Sequence, residues 1–375
     1  MLDTKIPASP AAAAPVPAKF RPSKSVLSHV FGHGALDQLG DLIEPRRAEG
    51  GPAVYCVDSW FRGKELEQRL PKLAGDRVLW VDSSVEPTTT AVNAFYDEVK
   101  TGAKPSVVVG VGGGASLDTA KALSNLLGNG GRAEDYQGWD LLPRPGVHKI
   151  GVPTISGTGA ETSRTCVMIN PANGLKLGMN SDHTIYDQLV LDPELSRTVP
   201  RDQYFFTGMD SYVHCLESLH GRHRHAIGDA YSHQSIALCR EVFASPDMMD
   251  DRAREALMVA SYLGGCAIAN SFVGVVHPFS AGLSVVLGLH HGLANCVVMG
   301  AMDEFYPNES REFREMAKRQ GVTVPSGVAR RLDDAGHESL YRATIIHEKP
   351  LANALGPDFK SVLTPAKVRE IFLRM

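Results

Sequence analysis

What the chain lacks narrows its possibilities first. No apolar stretch in its 375 residues approaches the ~20 that a membrane-spanning helix needs. Residues 1–24 are rich in alanine and proline, centred on Pro10-Ala11-Ala12-Ala13-Ala14-Pro15-Val16-Pro17, without the long apolar core of a signal peptide. They read as a flexible tail. None of the six cysteines (Cys56, Cys166, Cys215, Cys239, Cys266, Cys296) stands in a Cys-x-x-Cys spacing, and most sit in apolar segments. They look like the reduced thiols of a cytoplasmic protein. The formal charge of −4 gives no reason to invoke nucleic acid or a membrane surface as partner. No internal repeat, flavin motif or second redox centre is visible. What is present is a 43% hydrophobic chain, long enough for two cores.

The chain changes character near residue 200. Residues 25–199 alternate short β-branched runs (Ala53–Val57, Val78–Val81, Val107–Val111, Ile150–Pro153) with helical stretches, the pattern of a doubly wound parallel sheet. Residues 200–375 show no strands. Segments 202–220, 227–244, 251–273, 278–288 and 292–304 carry apolar residues at helical spacing. The expected architecture is α/β, a Rossmann-like domain followed by an all-helical one, with chemistry in the cleft between them.

The helical half carries the most informative residues. Asp210 and His214 lie four apart, on one face if the segment is helical. His277 precedes a proline, and His291-Gly292 follows fourteen residues later. Three neutral imidazoles and a carboxylate suit Fe(II) or Zn(II), with a position left open for a substrate oxygen.

The α/β half supplies loops suited to phosphate. Val107 to Val111 runs into Gly112-Gly113-Gly114, and Ala115-Ser116-Leu117-Asp118 then opens a helix. Glycines let backbone approach a pyrophosphate, and the helix N-terminus attracts the anion. A second loop, Pro153-Thr154-Ile155-Ser156-Gly157-Thr158-Gly159-Ala160-Glu161, offers hydroxyls and exposed N–H groups. Asp58 ends a strand. It reads either as the acid that takes the adenosine ribose hydroxyls, favouring NAD over NADP, or as a turn or cap residue.

These landmarks run in order with Phe31-Gly32-His33-Gly34, Glu86-Pro87-Thr88, Leu191-Asp192-Pro193-Glu194-Leu195 and Gly208-Met209-Asp210. From about Ser28 onward the chain resembles the iron-containing (group III) alcohol dehydrogenases, grouped with glycerol dehydrogenase and dehydroquinate synthase. The resemblance implies that Asp210, His214, His277 and His291 bind the metal, that Lys176 lies near the nicotinamide, and that the protein forms a homodimer. Tyr136-Gln137-Gly138-Trp139-Asp140, Gly178-Met179-Asn180-Ser181-Asp182 and Leu287-Gly288-Leu289-His290-His291-Gly292 further resemble the 3-deoxy-D-manno-octulosonate 8-oxidase branch. That branch oxidises the terminal alcohol of an acidic sugar in a lipopolysaccharide sugar pathway, and a pyridoxal-phosphate aminotransferase consumes the aldehyde. The family also implies a proton-relay histidine four residues after the third ligand. Here that position is Ala281, and His290 is the candidate replacement.

An acidic sugar needs a carboxylate anchor. Arg222 and Arg224, in His220-Gly221-Arg222-His223-Arg224-His225, offer one, or else form a solvated cluster at a helix end. Arg164 is a further candidate, and Asn180 either binds sugar hydroxyls or forms a turn. Three activities are consistent with these residues: oxidation of the sugar acid with NAD or oxygen as acceptor, a simple alcohol or glycerol dehydrogenase, and a carbon–oxygen lyase of the dehydroquinate synthase type.

Overall fold

The computed structural model describes residues 24–375, so the expected tail lies outside the described residues except for Lys24. The first half runs β1 (Ser28–Phe31), α1 (Leu39–Ala48), β2 (Ala53–Asp58), α2 (Glu65–Arg69), β3 (Arg77–Val81), α3 (Thr89–Val99), β4 (Val107–Gly112), α4 (Gly114–Asn129), β5 (Gly138–Trp139), β6 (His148–Pro153), β7 (Thr165–Asn170), β8 (Leu175–Asn180) and β9 (Gln188–Leu191). Helices follow: α5 (Arg201–His220), α6 (Ala226–Ala244), α7 (Asp251–Asn270), α8 (Val276–Leu287), α9 (His291–Met299), α10 (Pro307–Gln320), α11 (Asp334–Ile345), α12 (Glu348–Leu355), α13 (Phe359–Val362) and α14 (Pro365–Arg374). A Rossmann-like parallel-sheet domain is thus followed by an all-helical one. Among the described residues no helix is long and apolar enough to cross a membrane, and all six cysteines are free and buried.

Six strands form a parallel sheet in the order β1-β9-β6-β4-β2-β3. Every residue of β4 is buried. Val107, Val109 and Val111 enter the core on one face and Val108 the core on the other, so a continuous β-branched run suits a sheet covered on both sides. The strand order also places a site. From β2 the chain moves outward to β3, whereas β4, β6 and β9 build the opposite way. The direction therefore reverses between β2 and β4, and ligands of such sheets bind outside the carboxyl ends at that point. Those ends are Asp58 and Gly112, with Val57 in register with Val111.

A second sheet, β5-β8-β7, contains an antiparallel hairpin that the expected all-parallel arrangement did not include. Leu175-Lys176-Leu177-Gly178-Met179-Asn180 alternates like a strand with one wet face. Both faces are in fact covered: Met179 packs beneath α4 residues Ala122 and Leu126, while Lys176 is turned toward α8.

The helical half surrounds α5, which is buried almost throughout and carries polar side chains at its centre. The loop after β6 is pressed against it. Gly157 has φ +143°, and a Cβ there would stand 1.7 Å from the Thr207 carbonyl oxygen. Ser211 Oγ donates to the Gly157 carbonyl at 2.9 Å. Sheet and bundle therefore meet one turn before Asp210.

Candidate metal centre and the cleft beside it

Asp210 and His214 project from one face of α5, His277 from the first turn of α8, and His291 begins α9. One potential ligand atom from each lies within 4.8 Å of all the others. Asp210 Oδ1 is 3.2 Å from His277 Nε2 and 3.5 Å from His214 Nε2, and Oδ2 is 3.3 Å from His291 Nε2. Ligands at ordinary zinc distances on a tetrahedron are ~3.4 Å apart, so these spacings fit the edges of one coordination sphere. Asp210 Oδ2 is buried and lacks a hydrogen-bond partner. An orphaned carboxylate oxygen facing imidazole nitrogens calls for a cation. The donor set fits Fe(II) or Zn(II).

Electrostatics agree with that geometry. Burial works to raise the Asp210 carboxyl, but the surrounding rings of His214, His291 and His277 hold it well below the usual range. Burial pushes His214 down to about 3, so it stays neutral and able to ligate. Burial also opposes a charge on His277. The Glu217 carboxylate and the bond to Asp210 win, raising it to about 9.

Three supporting residues were not among the sequence candidates. Glu217 accepts from His277 Nδ1 at 2.5 Å and from the Val276 N–H at 2.5 Å. That bond fixes the ring so that Nε2 faces the cluster, where a cation would displace its proton. Asn295 Nδ2 donates to Asp210 Oδ1 at 2.6 Å. Glu86 accepts from the His291 N–H at 2.8 Å and pairs with Lys176 Nζ at 2.9 Å, tying the small sheet to the metal helix. Burial opposes the Glu86 carboxylate, yet Lys176 and His291 hold its carboxyl below the usual range. Glu217 and Asn295 carry a periodic signal: Glu217 completes an i, i+4, i+7 series with Asp210 and His214, and Asn295 lies four after His291.

The glycine turn stands where the strand order requires. The N–H groups of Gly114, Ala115 and Ser116 precede the first bonds of α4, available to an anion. Each glycine is tightly faced. A Cβ on Gly112 would meet Ser116 Oγ at 2.6 Å and Asp58 Cβ at 2.9 Å, one on Gly113 Ile155 Cγ2 at 2.9 Å, and one on Gly114 Thr158 Cγ2 at 3.1 Å. Asp58 accepts from the Trp60 N–H at 2.9 Å and from Ser83 Oγ at 2.8 Å, so it caps the following turn while flanking the glycines. Asp118 Oδ2 accepts from the Val167 N–H at 2.8 Å, and burial raises its carboxyl to about 6. Thr158 is half-buried at the turn. Thr154 and Ser156 are buried at 4% and 2% exposure, Thr154 with its N–H on the Gly112 carbonyl.

The structure places the expected substrate residues outside the four-residue cluster. Arg164 is 5% exposed and its guanidinium is held by Asp140 and Asp182, so its charge is already balanced within the fold. Arg224 pairs with Asp229 and donates to the Leu219 carbonyl, the arrangement of a helix-end cluster. About 15 Å of helix separates Asp210 from His220, and Arg222 and Arg224 follow that end of α5. Arg222 is half-buried, its N–H bonded to the Asn353 carbonyl. Asn180 Nδ2 donates to the Gly138 and Gly178 carbonyls, bracing β8. His290 is exposed and outside the four-atom cluster.

The family model of iron-containing alcohol dehydrogenase matches residues 28–193, and the model of that family's C-terminal part matches residues 205–340. The chain belongs to the iron-containing alcohol dehydrogenase family. Among relatives in this family, sulfoacetaldehyde reductase of Bilophila wadsworthia is 34% identical over 274 residues, 71% of this chain and 69% of that protein. NAD-dependent methanol dehydrogenase of Bacillus methanolicus is 31% identical over 276 residues, 72% of each. In fold, the chain is similar to the crystal structure of sulfoacetaldehyde reductase from Bifidobacterium kashiwanohense in complex with NAD+. That likeness has a TM-score of 0.75 at 20% identity, covering 95% of this chain and 98% of that one.

Proposed function

We propose that this protein is an NAD-linked, divalent-metal-dependent oxidoreductase that interconverts a primary alcohol and its aldehyde. The observation that carries this reading is the orphaned Asp210 oxygen among three imidazoles. A divalent cation held there, Fe(II) or Zn(II), supplies the Lewis acidity that eases loss of an alcohol proton. NAD supplies the hydride acceptor. The chain's own residues do the rest. Asp210, His214, His277 and His291 hold the cation, Glu217 and Asn295 orient His277 and Asp210, and Gly112, Gly113, Gly114 and Ala115 receive the pyrophosphate. Asp58 takes the adenosine ribose, Thr158 borders the nicotinamide, and Lys176 presents a cation from β8. A nicotinamide is supported by the name of the Bacillus enzyme and by the NAD+ in the Bifidobacterium structure.

For the substrate, the named relatives favour a small alcohol or aldehyde. The finer reading, an acidic eight-carbon sugar whose aldehyde passes to an aminotransferase, is supported by the sequence resemblance of the branch, while two of the arginines proposed to anchor it, Arg164 and Arg224, are paired with aspartates. The test is metal-loaded protein with NAD, in air and anaerobically, against methanol, ethanol, 1-propanol, glycerol and 3-deoxy-D-manno-octulosonate. NADH formation from short alcohols is the expected result, and net NADH also excludes a lyase that uses NAD transiently. Turnover of the sugar acid alone would establish the finer substrate. Oxygen uptake without NADH, or no turnover with any alcohol, would overturn the proposal.

A further inference from the structure

A small cavity lies where the small sheet faces the helical half. β5, β7 and β8 form one side, and the last turn of α7, its linker to α8 and the first turn of α12 form the other. Its volume is about 70 Å³, roughly five times the minimum that holds one water. Trp139, Ile268, Phe272 and Val273 make an apolar wall, each only half-buried, so the cavity is reachable from solvent. Trp139 and Phe272 meet edge to face with ring centres 5.1 Å apart. Asn353 Nδ2 fixes the linker by donating to the Phe272 and Val273 carbonyls at 3.2 and 3.1 Å. The opposite side is polar. Arg164 and Thr165 line it, and Arg164 Nη1 and Thr165 Oγ1 are both buried without a hydrogen-bond partner. Arg164 is 5% exposed and commits Nε to Asp182 and Nη2 to Asp140, which leaves Nη1 alone unengaged. Asn180, opposite Thr165 in the hairpin, commits Nδ2 to two carbonyls and keeps Oδ1 as an acceptor. Two orphaned polar groups beside one void are costly and call for a ligand that bonds to both.

We propose that this cavity binds the end of a neutral polyhydroxy compound, an acyclic polyol or a sugar, through hydroxyls on Arg164 Nη1 and Thr165 Oγ1. A hydroxyl suits both, because it accepts from the guanidinium N–H and can donate to the threonine oxygen or to Asn180 Oδ1. The carbon skeleton then lies against the wall of Trp139 and Phe272. Charge selects against an acid. Arg164 and Lys349, whose Nζ stands 4.1 Å from the Trp139 ring centre, bring two positive charges. Asp140 and Asp182 bring two negative ones, so a carboxylate meets no excess of positive charge. An alkyl chain would fill the space but leave both polar groups unpaired. Binding there requires neither metal nor nucleotide, so it stands apart from the dehydrogenase reading.

The test uses the full chain labelled with 5-fluorotryptophan, whose three fluorine signals belong to Trp60, Trp80 and Trp139. Trp139→Phe assigns the last of them. Ribitol should move the Trp139 signal in a saturable way and leave the other two in place. D-Ribonate, its acid counterpart, and 1-pentanol should each bind about tenfold more weakly or less. Thr165→Val removes the hydroxyl at nearly constant shape and should weaken ribitol about five- to tenfold. Its Tm without ligand should stay at or above that of the wild type, because a buried unpaired group is gone. Ile268→Phe, which fills the cavity from α7, should abolish the ribitol response. A Trp139 signal indifferent to ribitol, an equal response to 1-pentanol, or tighter binding of D-ribonate would overturn the proposal. Unchanged ribitol affinity in Thr165→Val would do the same. No turnover enters this readout, so a failure of the dehydrogenase reading and a failure of this site are seen separately.

Discussion

Glu217 shows how much a single carboxylate can decide. It is fully buried, and it holds both the Val276 N–H and the His277 ring. Glutamine at 217 keeps the shape but has one acceptor for two donors, and it removes the charge that fixes the His277 tautomer. Glu217→Gln should weaken Zn(II) binding ten- to a hundred-fold, read by competition with a chromogenic chelator. Unchanged affinity would show that the bond to Glu217 does not prepare the ligand. Asp210 and His214 were legible at this scale because a carboxylate and an imidazole four apart on one helix are a ligand pattern in themselves. Glu217 was not. A glutamate at i+7 looks like any solvated helix residue until the packing around α5 is known. The pairing of Arg164 was equally hidden, since its two aspartates lie 24 and 18 residues away in sequence.

At the scale of elements, β6 carries an unusual burden. Its Lys149 is 1% exposed, 3.7 Å from Asp187. Burial lowers this lysine to about 8 against the partial support of Asp187. A folded pKa below the unfolded one means that the charged form is penalised in the native state. The penalty is full below about pH 8 and vanishes as pH rises toward 10.5, because only the unfolded chain then still binds the proton. The stability of the wild type relative to Lys149→Met should therefore climb between pH 8 and 10.5, by up to about 3 kcal/mol. Urea titrations across that range check it, and a flat difference would show that Lys149 is adequately compensated by its surroundings. Strands β2, β3, β4 and β6 were readable because valine and isoleucine runs are local. The β7–β8 hairpin was not, because the polar face of β8 reads as a wet surface until α8 is placed over it.

For the molecule as a whole, the metal centre draws α5, α8 and α9 to one point beside a large helical core. A cation that binds the folded state and not the unfolded one stabilises by about 2.7 kcal/mol at a hundred times Kd. Removing it with a chelator should lower Tm by several degrees while leaving most helical circular dichroism intact at 25 °C, because that core does not depend on the ion. Scanning calorimetry at several Zn(II) concentrations measures the effect. A Tm independent of Zn(II) would mean that the cluster does not bind it in the folded protein.

The sequence by itself determined the fold class and the four candidate ligands. Apolar period, glycine turns and ligand spacing are properties of short segments, and nearby residues are enough to express them. Only the tertiary structure decided what surrounds those ligands. It set Glu86 against a backbone N–H 205 residues away, joined Asn295 to Asp210, and engaged Arg164 with its aspartates. Each of these depends on which helix faces which strand. Burial and charge pairing follow from that packing, and local sequence patterns do not encode them.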